Sequence, residues 1–246
     1  MTPLLKAVAV AVSVDRLLAV ATRGRWERGN FRGRAVSLSA GPALVLAAIA
    51  AAPGWPAAVI GLGAGMTGLY DDAVGGRDRA KGLRGHAAAL RAGRLTGGTV
   101  KVVGVGASAL LGVRLLPRRP LPQLVTDVAL VAGTGNLLNL LDLRPGRALK
   151  VGALLSAGLG RRGSAAAALT LLPADLAERS MLGDTGANGF GALLGLAAVE
   201  RLDGRGRLVA LAGVAALTAA SERVSFTTVI ERTPVLRALD GAGRLP

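Results

Sequence analysis

GMTGLYDDAVGG, residues 65–76, ends a long apolar stretch on two adjacent aspartates, Asp71 and Asp72. The chain holds 30 Lys and Arg against 15 Asp and Glu, so two acids side by side are a conspicuous use of scarce residues. Their charges repel unless a cation or a hydrogen-bond donor holds both ionised. Polar groups at the ends of apolar spans are functional hypotheses by default, and the surroundings of this pair decide how the chain is read.

Half of the chain is apolar (51%), mean hydropathy is +0.48, aromatic residues make up only 2%, and there are 36 glycines. Small residues suit helices that pack closely in lipid, and GLGAG (61–65) and GALLG (191–195) repeat Gly at i and i+4. The absence of cysteine rules out a disulfide framework and thiolate metal sites, and the single histidine, His86, rules out a multi-histidine zinc site. The net charge of +15 falls in short bursts between apolar stretches, not in one patch, which argues against nucleic-acid binding.

The apolar segments run over 3–22, 36–52, 54–70, 98–116, 121–141, 147–160, 164–178, 187–200 and 207–221, with Gly, Pro and Arg clusters between them. This pattern predicts an all-α fold: a polytopic integral membrane helical bundle of about nine transmembrane helices, in one domain covering 1–246. Residues 3–22 could be a signal peptide, but Asp15 and Arg16 interrupt the run and further spans follow, which favours a retained helix. Loops 23–35, 71–97, 142–150 and 179–186 and the tail from 222 carry most of the Lys and Arg, so they are assigned to the cytoplasmic side. The N-terminus then lies outside and the C-terminus in the cytoplasm.

That topology gathers three acidic clusters at the cytoplasmic ends of spans. Asp71 and Asp72 form the first. In GNLLNLLDLRPGRALK (135–150), Asn136, Asn139 and Asp142 recur every three residues and share a helical face. In MLGDTGANGFG (181–191), Asp184 sits in a Gly-rich turn that opens the next helix, with Asn188 one turn on. Carboxylates without His or Cys suit a hard cation, and Mg²⁺ takes one or two carboxylates plus substrate phosphates. A Gly-rich helix N-terminus favours an anion. Lys81, Arg84, Arg144, Arg147 and Lys150 are placed to neutralise phosphate. The residues therefore predict a Mg²⁺-dependent phosphate or diphosphate site at the inner membrane face.

With these motifs in order, the chain resembles the polyprenyl-phosphate N-acetylhexosamine-phosphate transferases. This superfamily contains phospho-N-acetylmuramoyl-pentapeptide transferase and undecaprenyl-phosphate GlcNAc-phosphate transferase. Its Asp-Asp pair is matched by Asp71-Asp72, its Asn-x-x-Asn-x-x-Asp run by Asn136, Asn139 and Asp142, and its Gly-Asp-x-Gly turn by Gly183, Asp184 and Gly186. WERGNFRGRAVSLSAG (26–41) is similar, more loosely, to the family's first cytoplasmic loop. The resemblance implies Mg²⁺-dependent transfer of a phospho-amino sugar from a UDP-sugar to polyprenyl phosphate, with release of UMP, in cell-envelope glycan synthesis such as that of peptidoglycan. It implies that Asp71 and Asp72 are catalytic and that Asp184 ligates the metal. Asn136, Asn139, Asp142 and Asn188 would bind substrate, with Lys81 and His86 on the loop after Asp72. Lys101 is an alternative to Lys81 as the match to a family lysine. The partners implied are polyprenyl phosphate, a UDP-linked amino sugar and the cell membrane, with no nucleic acid; a homo-oligomer is compatible.

Two departures stand beside the match. Asp142 is followed by LRPGRALK where the best-known members continue Asp-Gly-x-x-Gly-Leu, and the tail SERVSFTTVIERTPVLRALDGAGR (221–244) has no histidine where they carry a His-rich motif. These keep a second reading open: a catalytically degenerate homologue that binds lipid phosphate and acts as a partner or regulator in envelope biogenesis.

Overall fold

The computed structural model describes residues 1–22, 24–74, 89, 91–93 and 96–245. Among the described residues the fold is all-α apart from one small hairpin. Helix α1 (Pro3–Thr22) leads into antiparallel strands β1 (Glu27–Gly29) and β2 (Ala35–Ser37). There follow α2 (Ala40–Ala51), α3 (Trp55–Val74), α4 (Gly97–Arg114), α5 (Leu121–Leu141), α6 (Arg147–Gly158), α7 (Arg162–Leu176), α8 (Gly183–Arg201) and α9 (Gly204–Ser221). Two short helices, α10 (Phe226–Arg232) and α11 (Pro234–Gly241), close the chain. Each of the nine apolar segments overlaps one of the helices α1 to α9, with ends that differ by up to four residues. The hairpin and the helices of the tail were not foreseen.

Helix α8 is the axle of the bundle. Every residue from Gly183 to Val199 is buried, and the helix packs most extensively against α3 and α5, with α2 beside them. Its glycines make that possible. A Cβ on Gly195 would lie 2.6 Å from Val131 Cα of α5, one on Gly191 2.8 Å from Gly135 Cα, and one on Gly186 2.6 Å from Gly41 Cα of α2. Around this axle, α1 packs on α2 and α7, α6 on α7, and α9 on α5. One apolar cluster of Ala, Val and Leu runs through α1 to α8. Asp15, the acid that interrupts α1, accepts a hydrogen bond from Ser39 Oγ at 2.6 Å and ties α1 to the start of α2.

Large aliphatic residues lie on the outside of the bundle as well as in its core. The buried positions are rich in Ala and Gly, while Leu17, Val102, Leu154, Leu169 and Val209 are exposed on α1, α4, α6, α7 and α9. Helix α9 has no buried residue at all.

The count of nine spans needs correction. Among the described residues one helix, α5, is both long and apolar enough to cross a bilayer; α9 and α10, bent by 93° at their junction, would make a second if taken together. Helices α2 and α6 have 12 residues each, about 18 Å at 1.5 Å per residue, against a hydrocarbon core of about 30 Å. Apolar composition marked where helices lie, but it did not fix which of them has the length and hydropathy to cross alone.

The close approaches along α8 give a direct test. Gly191→Val and Gly195→Val should each destabilise the protein by about 1–3 kcal/mol or more through overpacking. Gly106→Ala and Gly213→Ala, where nothing lies within 4 Å of the added carbon, should leave thermal unfolding unchanged or slightly raise its midpoint.

Candidate functional site

The first turn of α8 meets the last turn of α3. Gly68 lets them touch, since a Cβ there would run into the Asp184 carbonyl. Gly183, at φ +61°, turns the chain into α8, and a Cβ on it would lie 3.0 Å from the Asp72 carboxylate. Into this space Asp72 inserts a fully buried side chain. Its Oδ1 accepts from the Asp184 N–H at 2.9 Å, and its Oδ2 accepts from the Thr185 N–H at 2.9 Å and from Thr185 Oγ1 at 2.7 Å. Asp72 is thus the N-terminal cap of α8, supplied from more than a hundred residues away. Both the orphan amides and the positive end of the helix dipole favour a carboxylate there.

Around the cap, acids and bases alternate. Arg28 of β1 donates one Nη1 to Asp72 Oδ1 at 3.2 Å and to Asp184 Oδ2 at 3.0 Å. Lys101 of α4 pairs with Asp71 Oδ2 at 3.3 Å and, closely, with Asp184 Oδ1. The sequence of contacts is Asp71, Lys101, Asp184, Arg28, Asp72. Asp184 precedes the apolar part of α8. Burial acts to raise its pKa, but Lys101 and Arg28 outweigh that and hold it below the usual carboxylate range.

In front of Asp184 opens a cavity of about 720 Å³, within the size range of small-molecule sites. Asn139 and Asp142 line it from the end of α5, Arg144 from the following turn, Arg28 and Asn30 from the hairpin, Asp175 and Glu178 from the end of α7, and Thr227, Thr228 and Glu231 from α10. Arg144 lies over the Phe31 ring, 4.5 Å from its centroid. The pKa of Asp142 is pushed well above the usual carboxylate value, first by loss of hydration and then by the charges of Asp175, Asp184 and Asp72.

The structure thus brings Asn139, Asp142 and Asp184 to one cavity. Asn136 is exposed and does not line it. Asn188 is buried and spends its amide on the Asp184 carbonyl, at 2.8 Å within its own helix. Asp71 and Asp72 stand behind the cavity wall, bound to Lys101 and to the α8 terminus. Lys81, Arg84 and His86 lie outside the described residues. Lys101, the alternative to Lys81, is in contact with the acidic cluster.

Two of the cations expected to neutralise phosphate are otherwise engaged. Arg147 forms a two-pronged pair with Asp240 at 2.8 and 2.9 Å and donates to Thr227 Oγ1 at 3.1 Å. Lys150 donates to the carbonyls of Leu239, Asp240 and Ala242 at 3.0, 2.9 and 2.6 Å. Both clamp the C-terminal segment instead of facing the cavity. Arg28 was missed because it is one of several arginines in its loop, with nothing local to single it out. Asp175 did leave a signal, an acid within the apolar segment 164–178. It accepts from the Gly146 N–H at 2.9 Å, where φ of +74° starts α6.

Among the described residues no three acidic side chains converge to hold a metal by themselves. Asp184 with substrate phosphate oxygens nevertheless fits the donor set that Mg²⁺ takes, which needs only one or two carboxylates. A scan against protein-family models finds no match to the chain, and searches of curated proteins and of solved structures return none.

The cap and the clamp are separately testable. Asp72→Ala leaves buried amides unpaired and should cost about 1–3 kcal/mol in thermal or denaturant unfolding, whereas Asp72→Asn, which retains an acceptor oxygen, should cost less. At Asp240 burial acts to raise the pKa, but Arg147 and Arg244 prevail and depress it. A depressed folded value means the clamp contributes fully above the unfolded carboxylate value of about 3.9 and is lost as pH falls through the lower folded value. Limited proteolysis with an acid-stable protease should find the tail protected at pH 5 and cut as pH drops below that range. Asp240→Ala should be cut at both.

Proposed function

We propose that the chain is a membrane-embedded phosphotransferase that moves a phospho-amino sugar from a UDP-sugar to a polyprenyl phosphate and releases UMP. The observation that carries this reading is the meeting of Asn139 and Asp142 with Gly183 and Asp184 at one polar cavity, with Asp71-Asp72 locked directly behind it. The membrane part rests on the large aliphatic side chains exposed over most of the bundle. The Lys and Arg content of the loops beside the cavity supports a cytoplasmic placement.

In this reading the side chains mainly align groups and neutralise charge, as phosphoryl transfer requires. Arg28 and Arg144 face the cavity and pair with the diphosphate. Asn139 and Asp142 hydrogen-bond the nucleoside or sugar; Asp142, with its raised pKa, is available as a donor when protonated. An oxygen of the lipid phosphate attacks the β-phosphorus, a new P–O bond forms, and the bond to the bridging oxygen breaks with its electron pair leaving on UMP. The attacking phosphate is already anionic at neutral pH, so Asp71 and Asp72 need not accept a proton. Asp72 holds the α8 turn, and Asp71 holds Lys101 against Asp184. Mg²⁺, held by Asp184 and phosphate oxygens, would supply further stabilisation of the charge that develops on the departing UMP.

The saturation of Asp184 by Lys101 and Arg28, together with the histidine-free tail, favours one other reading, the degenerate lipid-phosphate binder.

Membranes carrying the protein, incubated with Mg²⁺, polyprenyl phosphate and a panel of UDP-amino sugars, should release UMP with one donor. Asp184→Asn and Arg28→Ala should lower that rate by roughly 10²–10³-fold without loss of protein from the membrane. Silence across the panel, with retained binding of polyprenyl phosphate, would replace the enzyme by the binder.

A further inference from the structure

Helix α11 is built the wrong way round for a helix on an aqueous surface. Its acid, Asp240, points at the bundle with only 10% of its side chain exposed, against Arg147 at 3%. Its aliphatic residues point away, Val235 at 68% exposure, Leu236 at 43% and Leu239 at 64%. On an eight-residue helix these three fall on one side, spaced i, i+1 and i+4. The orientation is fixed from several directions. Arg147 grips Asp240 with two hydrogen bonds, Arg244 donates to Asp240 Oδ1 at 2.7 Å, and Lys150 gathers the carbonyls at the helix C-terminus. A cation at that end also complements the helix dipole. The apolar side is therefore held outward by buried charge.

We propose that α11 lies in the surface of an anionic bilayer, with Val235, Leu236 and Leu239 at the boundary between headgroups and acyl chains. The occupant follows from the chemistry of the helix and its flank. The aliphatic face is bordered by cations, the exposed Arg232 just before the helix and the exposed Arg237 on its polar side, a combination that suits an amphipathic helix lying among anionic headgroups above a hydrocarbon layer. Through α10 the same segment supplies Thr227, Thr228 and Glu231 to the cavity wall, so the membrane surface sets the position of one side of the cavity. The inference rests on the membrane-embedded reading of the bundle but not on the transferase chemistry.

The chain has no cysteine, so single substitutions Val235→Cys and Leu239→Cys can carry a nitroxide without background. Leu154→Cys, exposed on α6, serves as reference for the bundle exterior. The full-length protein is reconstituted into phosphatidylglycerol–phosphatidylcholine vesicles, and collision of each label with oxygen and with a water-soluble nickel chelate is measured. Oxygen should exceed nickel at residues 235, 239 and 154, with 235 and 239 shallower than 154. Nickel exceeding oxygen at 235 and 239 while 154 stays in lipid would overturn the inference and leave the membrane reading standing. Low collision with both reagents at 235 and 239 would also overturn it, since a protein would then cover the helix. Nickel exceeding oxygen at all three positions would overturn both.

Discussion

The capping of α8 by Asp72 is the constraint on which the rest depends. A buried helix presents several amide N–H groups at its start with no partner inside the helix, and α8 is buried from its first residue. The carboxylate of Asp72 satisfies the amides of Asp184 and Thr185, the second and third residues of the helix, and a hydroxyl, and in doing so docks the end of α3 against the start of α8. Gly68 and Gly183 are the local conditions for that contact, because any side chain at either position would occupy the space of the carboxylate or of the Asp184 backbone. The repulsion between Asp71 and Asp72 is resolved by giving them different partners, Lys101 for one and helix amides with Arg28 for the other.

From that junction the electrostatics of the site follow. Asp184 is placed at the α8 terminus and meets Lys101 on one oxygen and Arg28 on the other. The hairpin that carries Arg28 is held over the site by pairing between β2 and the segment before α8, through Ser37 and Ser180. A second group of ions, centred on Asp240, fastens the tail beside the cavity. The two groups differ in purpose. The first is enclosed by helix packing and shapes the cavity floor; the second joins a lightly packed segment to α6 and depends on charge more than on burial.

Close packing of small residues lets the bundle place these charges accurately. Backbone-to-backbone contact at Gly186, Gly191 and Gly195 leaves α8 little room to shift relative to α2 and α5, so the position of Asp184 is set by helix packing on several sides.

The positions of the nine main helices were legible in the sequence, since each apolar run bounded by Gly, Pro or Arg became a helix. Of the acidic clusters expected to meet, Asn139, Asp142 and Asp184 do line one cavity, while Asn136, Asn188, Asp71 and Asp72 do not. Partners were not legible. Nothing local distinguishes Arg28 from neighbouring arginines, tells that Lys101 reaches Asp184, or shows that Arg147 and Lys150 are taken by a tail about ninety residues on. The sequence determined where charge interrupts apolar helices, since that depends only on residue order. Tertiary structure alone decided which charge meets which and that Asp72 serves a helix terminus, because those outcomes depend on distances between segments far apart in the chain.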